Sequence, residues 1–83
     1  DTVALETTGT LREMEYTALQ PGDLAVTTNG VHILAYLGND TWIHADPGAG
    51  AVITMNGRSS TNGWLRSNVT THRWRELQNE GQK

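Results

Sequence analysis

A small, mostly β domain, an antiparallel meander of about five short strands, is the fold class this sequence predicts. Two observations carry the prediction. The chain has 83 residues with 36% hydrophobic content, nine glycines and no phenylalanine, a composition suited to one domain of short elements around a modest core. Turn signals at Pro21-Gly22, Asn29-Gly30, Gly38-Asn39-Asp40 and Asp46-Pro47-Gly48 cut the middle of the chain into strand-length pieces rich in β-branched and aromatic residues.

Residues 1–20 are expected to be a mostly irregular N-terminal segment: the Thr-rich stretch has no clean period, and Leu11 to Tyr16 offers at most one weak helical turn before Pro21. Asp23 to Thr28 is the first predicted strand, with alternation at Leu24 and Val26. Asn29-Gly30 predicts a two-residue hairpin, since both central residues of a type I′ turn need positive φ. Val31 to Leu37 is nearly continuous in apolar residues, which predicts a strand buried on both faces. After Gly38-Asn39-Asp40 come Thr41 to His44, the next predicted strand, and Ala51 to Met55 beyond the Asp46-Pro47-Gly48 break. Asn56 to Gly63 reads as a polar loop, followed by a helical turn around Trp64-Leu65. Val69 to Leu77 alternates as a last strand. The sheet region is thus 21–78, and 79–83 is a polar tail. No repeat or heptad competes with this reading.

The gross numbers also exclude. A net charge of −3 is the wrong sign for a phosphate-backbone binder, so nucleic acid is not an expected partner. No stretch approaches the roughly 18 apolar residues of a membrane helix, and Asp1-Thr2-Val3 lacks the basic and apolar regions of a signal peptide, so the chain reads as soluble, with no membrane partner. With no cysteine there is neither a disulfide framework nor a thiolate metal site to support so small a core. A partner or a further segment is the natural source of support. Trp42, Trp64 and Trp74 supply much of the bulk.

His32 sits in the most apolar predicted strand, where an imidazole needs a hydrogen-bond partner. By period two it shares a face with Leu34 and Tyr36, and His44 on the next antiparallel strand can approach it on that face. Such a pair suits nucleophilic catalysis: His32 as general base toward a Cys or Ser, His44 fixing its tautomer and orientation. Read from spacing alone, the favoured reading is the plainer one, His32 a satisfied core histidine and His44 a strand-end residue, while a zinc site needs a third ligand such as Asp46 or His72. Asp46 before Pro47 reads as a turn opener that could also orient the pair. Asp23 reads as a cap on local amides, and His72 as a solvated edge residue. Trp42 and Trp74 could line a peptide groove or pack on the sheet.

Leu19-Gln20-Pro21-Gly22-Asp23-Leu24, then His32 to Gly38, then Trp42-Ile43-His44-Ala45 resemble in order and spacing the NlpC/P60 family of cysteine peptidases, over about Leu19 to Leu77. The resemblance implies a papain-like α+β fold in which a Cys-bearing helix packs on the sheet, and a Cys-His-His enzyme that cleaves cell-wall stem peptides without metal or organic cofactor. His32 then matches the base and His44 the polar third residue, with Trp42 and Asp46 as candidate substrate-binding residues. A bacterial envelope, secreted or phage-associated setting is implied as well.

The sequence also departs from that family. No Cys occurs anywhere, Leu34 stands where a small residue is usual, and the segment before Pro21 is too short for the covering helix. The expectation is therefore the sheet part of a peptidoglycan hydrolase, inactive alone, whose Cys comes on a companion segment or chain. The alternative is a non-catalytic module of the same type that binds wall peptide or a protein. On either reading an apolar sheet face is left to seek a partner.

Overall fold

The computed structural model describes residues 1–80, excepting the side chains of 6–8 and 78–80. Its strands are β1 (Thr2–Thr10), β2 (Leu24–Thr27), β3 (Ile33–Gly38), β4 (Thr41–Asp46), β5 (Ala51–Asn56) and β6 (Asn68–Trp74). A 3-10 turn, Gly63–Arg66, precedes β6, and a short helix, α1 (Arg75–Glu80), follows it. All pairings are antiparallel, in one six-stranded sheet of order β1-β6-β2-β3-β4-β5. The protein is mostly β with little helix, as its composition predicts.

The meander holds from β2 to β5, but β6 returns across the sheet to pair with β2, and β1 lies outside it. Residues 2–10, expected to be irregular, are a nine-residue strand. Their Thr and Val content favours a strand. A register shift falls between Ala4 and Thr8, and a strand paired with an irregularity of the bulge kind need not show a strict two-residue period in its sequence. The last strand ends at Trp74, three residues short of the expected Leu77; the residues that follow include Arg, Glu, Leu and Gln, good helix formers. Part of the expected tail, 81–83, lies outside the described residues.

Turn chemistry also falls differently. Asn29-Gly30 does not form a two-residue I′ hairpin: only Gly30 has positive φ, 75°, and the loop closes where Thr27 N–H donates to the His32 carbonyl at 3.0 Å. The tight hairpin lies one turn later, at Asn39 and Asp40, whose φ values of 52° and 58° suit a primed turn between β3 and β4.

One face of the sheet carries the core. Ala25, Leu34, Tyr36, Trp42, Met55 and Val69 point to that side, where Leu11, Met14, Tyr16 and Leu19 fold over them and Leu65 closes one end. Tyr16 is the keystone. Its hydroxyl accepts from Trp42 Nε1 and donates to the Leu11 carbonyl, both at 2.7 Å, and its ring meets Tyr36 and Trp42 edge-on. Burial pushes its phenol up, against the opposing Trp42 N–H.

The opposite face is open. β3 is buried on one side only: Leu34 and Tyr36 point into the core, while Ile33 and Leu37 are 52% and 49% exposed. Ala45 and Val52 continue the same uncovered surface on β4 and β5. The apolar run of β3 therefore reflects two apolar faces, of which the chain covers one.

Candidate functional site

Strand parity brings the histidines together. His44, on β4, shares the core-side face with Trp42 and Asp46 and is 4% exposed. His32 stands just before β3 rather than inside it, placed by Thr27: the buried threonine hydroxyl accepts the His32 N–H at 3.1 Å. His32 Nε2 and His44 Nδ1 are 2.7 Å apart, with the rings edge to face. His32 Nδ1 makes no hydrogen bond among the described residues.

Trp64 completes the setting. Its indole stacks on the His32 imidazole, 4.0 Å between centroids at 17°. The 3-10 turn holds it there, since Asn62 caps that turn by accepting the Trp64 N–H at 2.9 Å. The same Asn62 side chain donates to Asp46 Oδ2 at 2.7 Å. Asp46 Oδ1 accepts from Gly48 and Ala49 N–H, at 2.8 and 3.4 Å. A chain of contacts thus runs from the end of β4 through Asn62 and Trp64 back to His32.

The electrostatics follow from those contacts. The Asn62 amide holds the Asp46 carboxyl below its ordinary 3.8, burial opposes it, and the Gly48 and Ala49 amides add to the lowering. Burial, then the charge of His32, hold His44 below its ordinary 6.5, with Asp46 opposing. His44 is accordingly neutral at pH 7. Its Nε2 is buried without a hydrogen-bond partner among the described residues, an unsatisfied atom in the core at the base of the pair.

Chemically, His32 has one ring nitrogen held and the other open. When Nδ1 takes a proton, Nε2–H donates to His44 Nδ1, so a neutral acceptor stabilises the new cation. Among the described residues no three His, Asp or Glu side chains converge as metal ligands would. His72 lies on the other face of the sheet, bonded to the Thr70 hydroxyl at 3.1 Å, and its strand is interior rather than an edge.

The expected substrate-binding residues divide. Trp42 is fully buried with its indole N–H committed to Tyr16, which corrects its expected place on a groove: it is core. Asp46 does line an open groove of about 460 Å³, with Asn62, Gly63, Trp64 and Ser67, although its oxygens already accept three N–H groups. Trp74 is half exposed on the uncovered face. Leu34 is buried in the core, so its bulk does not project into that groove. Asp23 meets a local amide, Gln20 N–H at 2.8 Å, but its larger partner is Arg73, which grips both oxygens at 2.8 and 2.9 Å. Thr27, Asn62 and Trp64 went unpredicted at the site; the Asn-Gly-Trp sequence at 62–64 is a capped-turn signal that marks the turn, though not its neighbour.

Fold and site together define an antiparallel sheet domain bearing a hydrogen-bonded histidine pair at the start of a central strand. No family model, no curated protein and no solved structure matches the chain.

Proposed function

We propose that this chain is the sheet part of an NlpC/P60-like cell-wall peptide hydrolase, within a papain-like α+β fold, with His32 as general base and His44 as its orienting partner. The single observation that carries the reading is the 2.7 Å His32 Nε2 to His44 Nδ1 contact, with Nδ1 left open. A general base needs such an arrangement: one nitrogen fixed from behind, the other free to meet a proton donor.

The proton donor is a cysteine thiol on a segment or chain outside these 83 residues. Its Sγ gives a proton to His32 Nδ1 and attacks the carbonyl of a stem-peptide bond; His32 then returns the proton to the leaving amine. The uncovered sheet face supports the location of that segment. His32 borders an open hollow on this face with Val26, Ile33 and Ala45, so a segment packed on the apolar surface would lie beside the start of β3. Its thiol has to reach Nδ1 past that strand end, on the core side where the ring meets His44 and Trp64.

The experiment uses the native gene product, purified under reductant and identified by mass spectrometry, then assayed on a wall stem peptide. A cysteine-bearing segment, joined or co-purifying, and hydrolysis lost on H32A and on thiol alkylation are the expected results. Hydrolysis indifferent to H32A would sink the catalytic reading. A product with no cysteine would leave the alternative, a non-catalytic module in which His32, Trp64 and the Asp46 groove bind a wall peptide.

A further inference from the structure

The chain has six Lys and Arg residues. Arg73 and Arg75 are paired with Asp23 and Asp1 at 2.8 and 2.9 Å, and Lys83 lies outside the described residues. The remaining arginines, Arg12, Arg58 and Arg66, have no carboxylate within salt-bridge distance among the described residues. They gather on one stretch of surface. Arg12 Nη1 donates to the Arg58 carbonyl at 2.7 Å, Arg58 Nη1 returns a bond to the Arg12 carbonyl at 3.3 Å, and Arg12 and Arg66 line one groove of about 320 Å³ with Thr61 and Asn62.

In a chain of net charge −3, a concentration of unpaired cations is not a by-product of composition; it creates a local positive potential that attracts anions. The donors are also differently prepared. Arg12 is half-buried and its guanidinium is tied to the Arg58 and Ser60 carbonyls, so its charge is fixed in place before a ligand arrives. The Arg66 side chain makes no hydrogen bond among the described residues, which leaves its planar fork free for a bidentate oxyanion. The Thr61 hydroxyl is available beside it.

Asn62 is the common wall of this groove and of the one that holds Asp46 and Trp64. A ligand laid across Asn62 would have one end against Trp64, which also stacks on His32, and the other between Arg12 and Arg66. We propose that the Arg12–Arg66 groove is an oxyanion subsite that receives a carboxylate of an extended ligand running toward Trp64. The peptide character of that ligand rests on the hydrolase reading above; the anion subsite itself does not.

NMR titration of the chain at low ionic strength tests it, since exposed charge pairs are screened by salt. The probes are N-acetylglutamate, a peptide-like dicarboxylate, and inorganic phosphate. N-acetylglutamate is expected to give saturable shifts at Thr61, Asn62 and the Arg66 side chain, weakened about tenfold or more in R66Q. That variant breaks no hydrogen bond among the described residues, so folding is expected to survive it, and an unchanged spectrum away from the groove checks this. R66K, which keeps the charge and loses the fork, should recover part of the affinity. The titration should persist in H32A, which separates failure of the subsite from failure of the hydrolase reading. Shifts that do not saturate, binding that survives R66Q undiminished, or binding of phosphate without N-acetylglutamate would each overturn the proposal.

Discussion

A single imidazole in a core strand is a cost, and His44 shows where that cost falls. Burial first, and His32 second, disfavour its protonated form, so its folded-state value lies below the ordinary 6.5. The unfolded chain therefore takes up this proton at a higher pH than the folded one does. Stability should be full above the ordinary value, fall as pH drops through it toward the lowered folded value, and level off below. Urea denaturation across that window checks it, and H44Q should flatten this component; an unchanged slope would mean that His44 is not the titrating group. Gly57 offers a second test at this scale. A Cβ there would overlap the Tyr16 hydroxyl and ring, and Tyr16 is held by Trp42 and Leu11, so it cannot swing aside without breaking the core network. G57A should lower stability by about 1–3 kcal/mol, as overpacking does, with a matching change in near-UV circular dichroism.

Among the elements, the connection between β6 and the loop before β2 rests on one ion pair. Asp23 is fully buried, and Arg73 both grips its carboxylate and donates to the Ala18 carbonyl at 2.9 Å; the bonds to Asp23 hold the Arg73 guanidinium above its ordinary value. Removing one partner strands a buried charge. R73M should therefore cost about 3–5 kcal/mol, and D23N added to it should restore a good part, because the stranded charge is then gone; chemical denaturation of the single and double variants reads this directly. The sequence could not announce the pair, because its members are fifty residues apart and neither strand period nor turn chemistry links them. The same limit explains the rest of the outcome. β2 to β5 were legible to within a residue or two, since turn residues bound them and their pairing is between neighbours. The return of β6 to β2 was not, for a long-range pairing leaves no local signature, and β1 was hidden by its own irregularity. The approach of His32 and His44 followed from parity on adjacent strands, whereas Thr27, Asn62 and Trp64 reach the pair from loops whose course only the folded chain defines.

For the whole molecule, the decisive property is that one face of the sheet is covered and the other is not. The core side is closed by residues 11–19, while Val31, Ile33, Leu37 and Val52 on or beside the other face stand between 49% and 67% exposed. A small domain seldom leaves so much apolar surface to water without a use for it. Because these side chains are already hydrated, exchanging them for polar β-formers removes little burial. The double variant I33T/V52T should keep its unfolding free energy within about ±0.5 kcal/mol of the parent, the range of surface substitutions. It should at the same time bind less of an apolar dye and, if a helix is what covers the face in the native product, capture that segment more weakly. A loss of stability well beyond that range would show that the face is buried in solution, within the chain or between copies of it, and would remove the surface on which a nucleophile-bearing helix is proposed to sit. Unchanged stability with unchanged dye binding would place the apolar surface elsewhere. Only the combination of intact folding and reduced binding fits a sheet whose second layer comes from outside it.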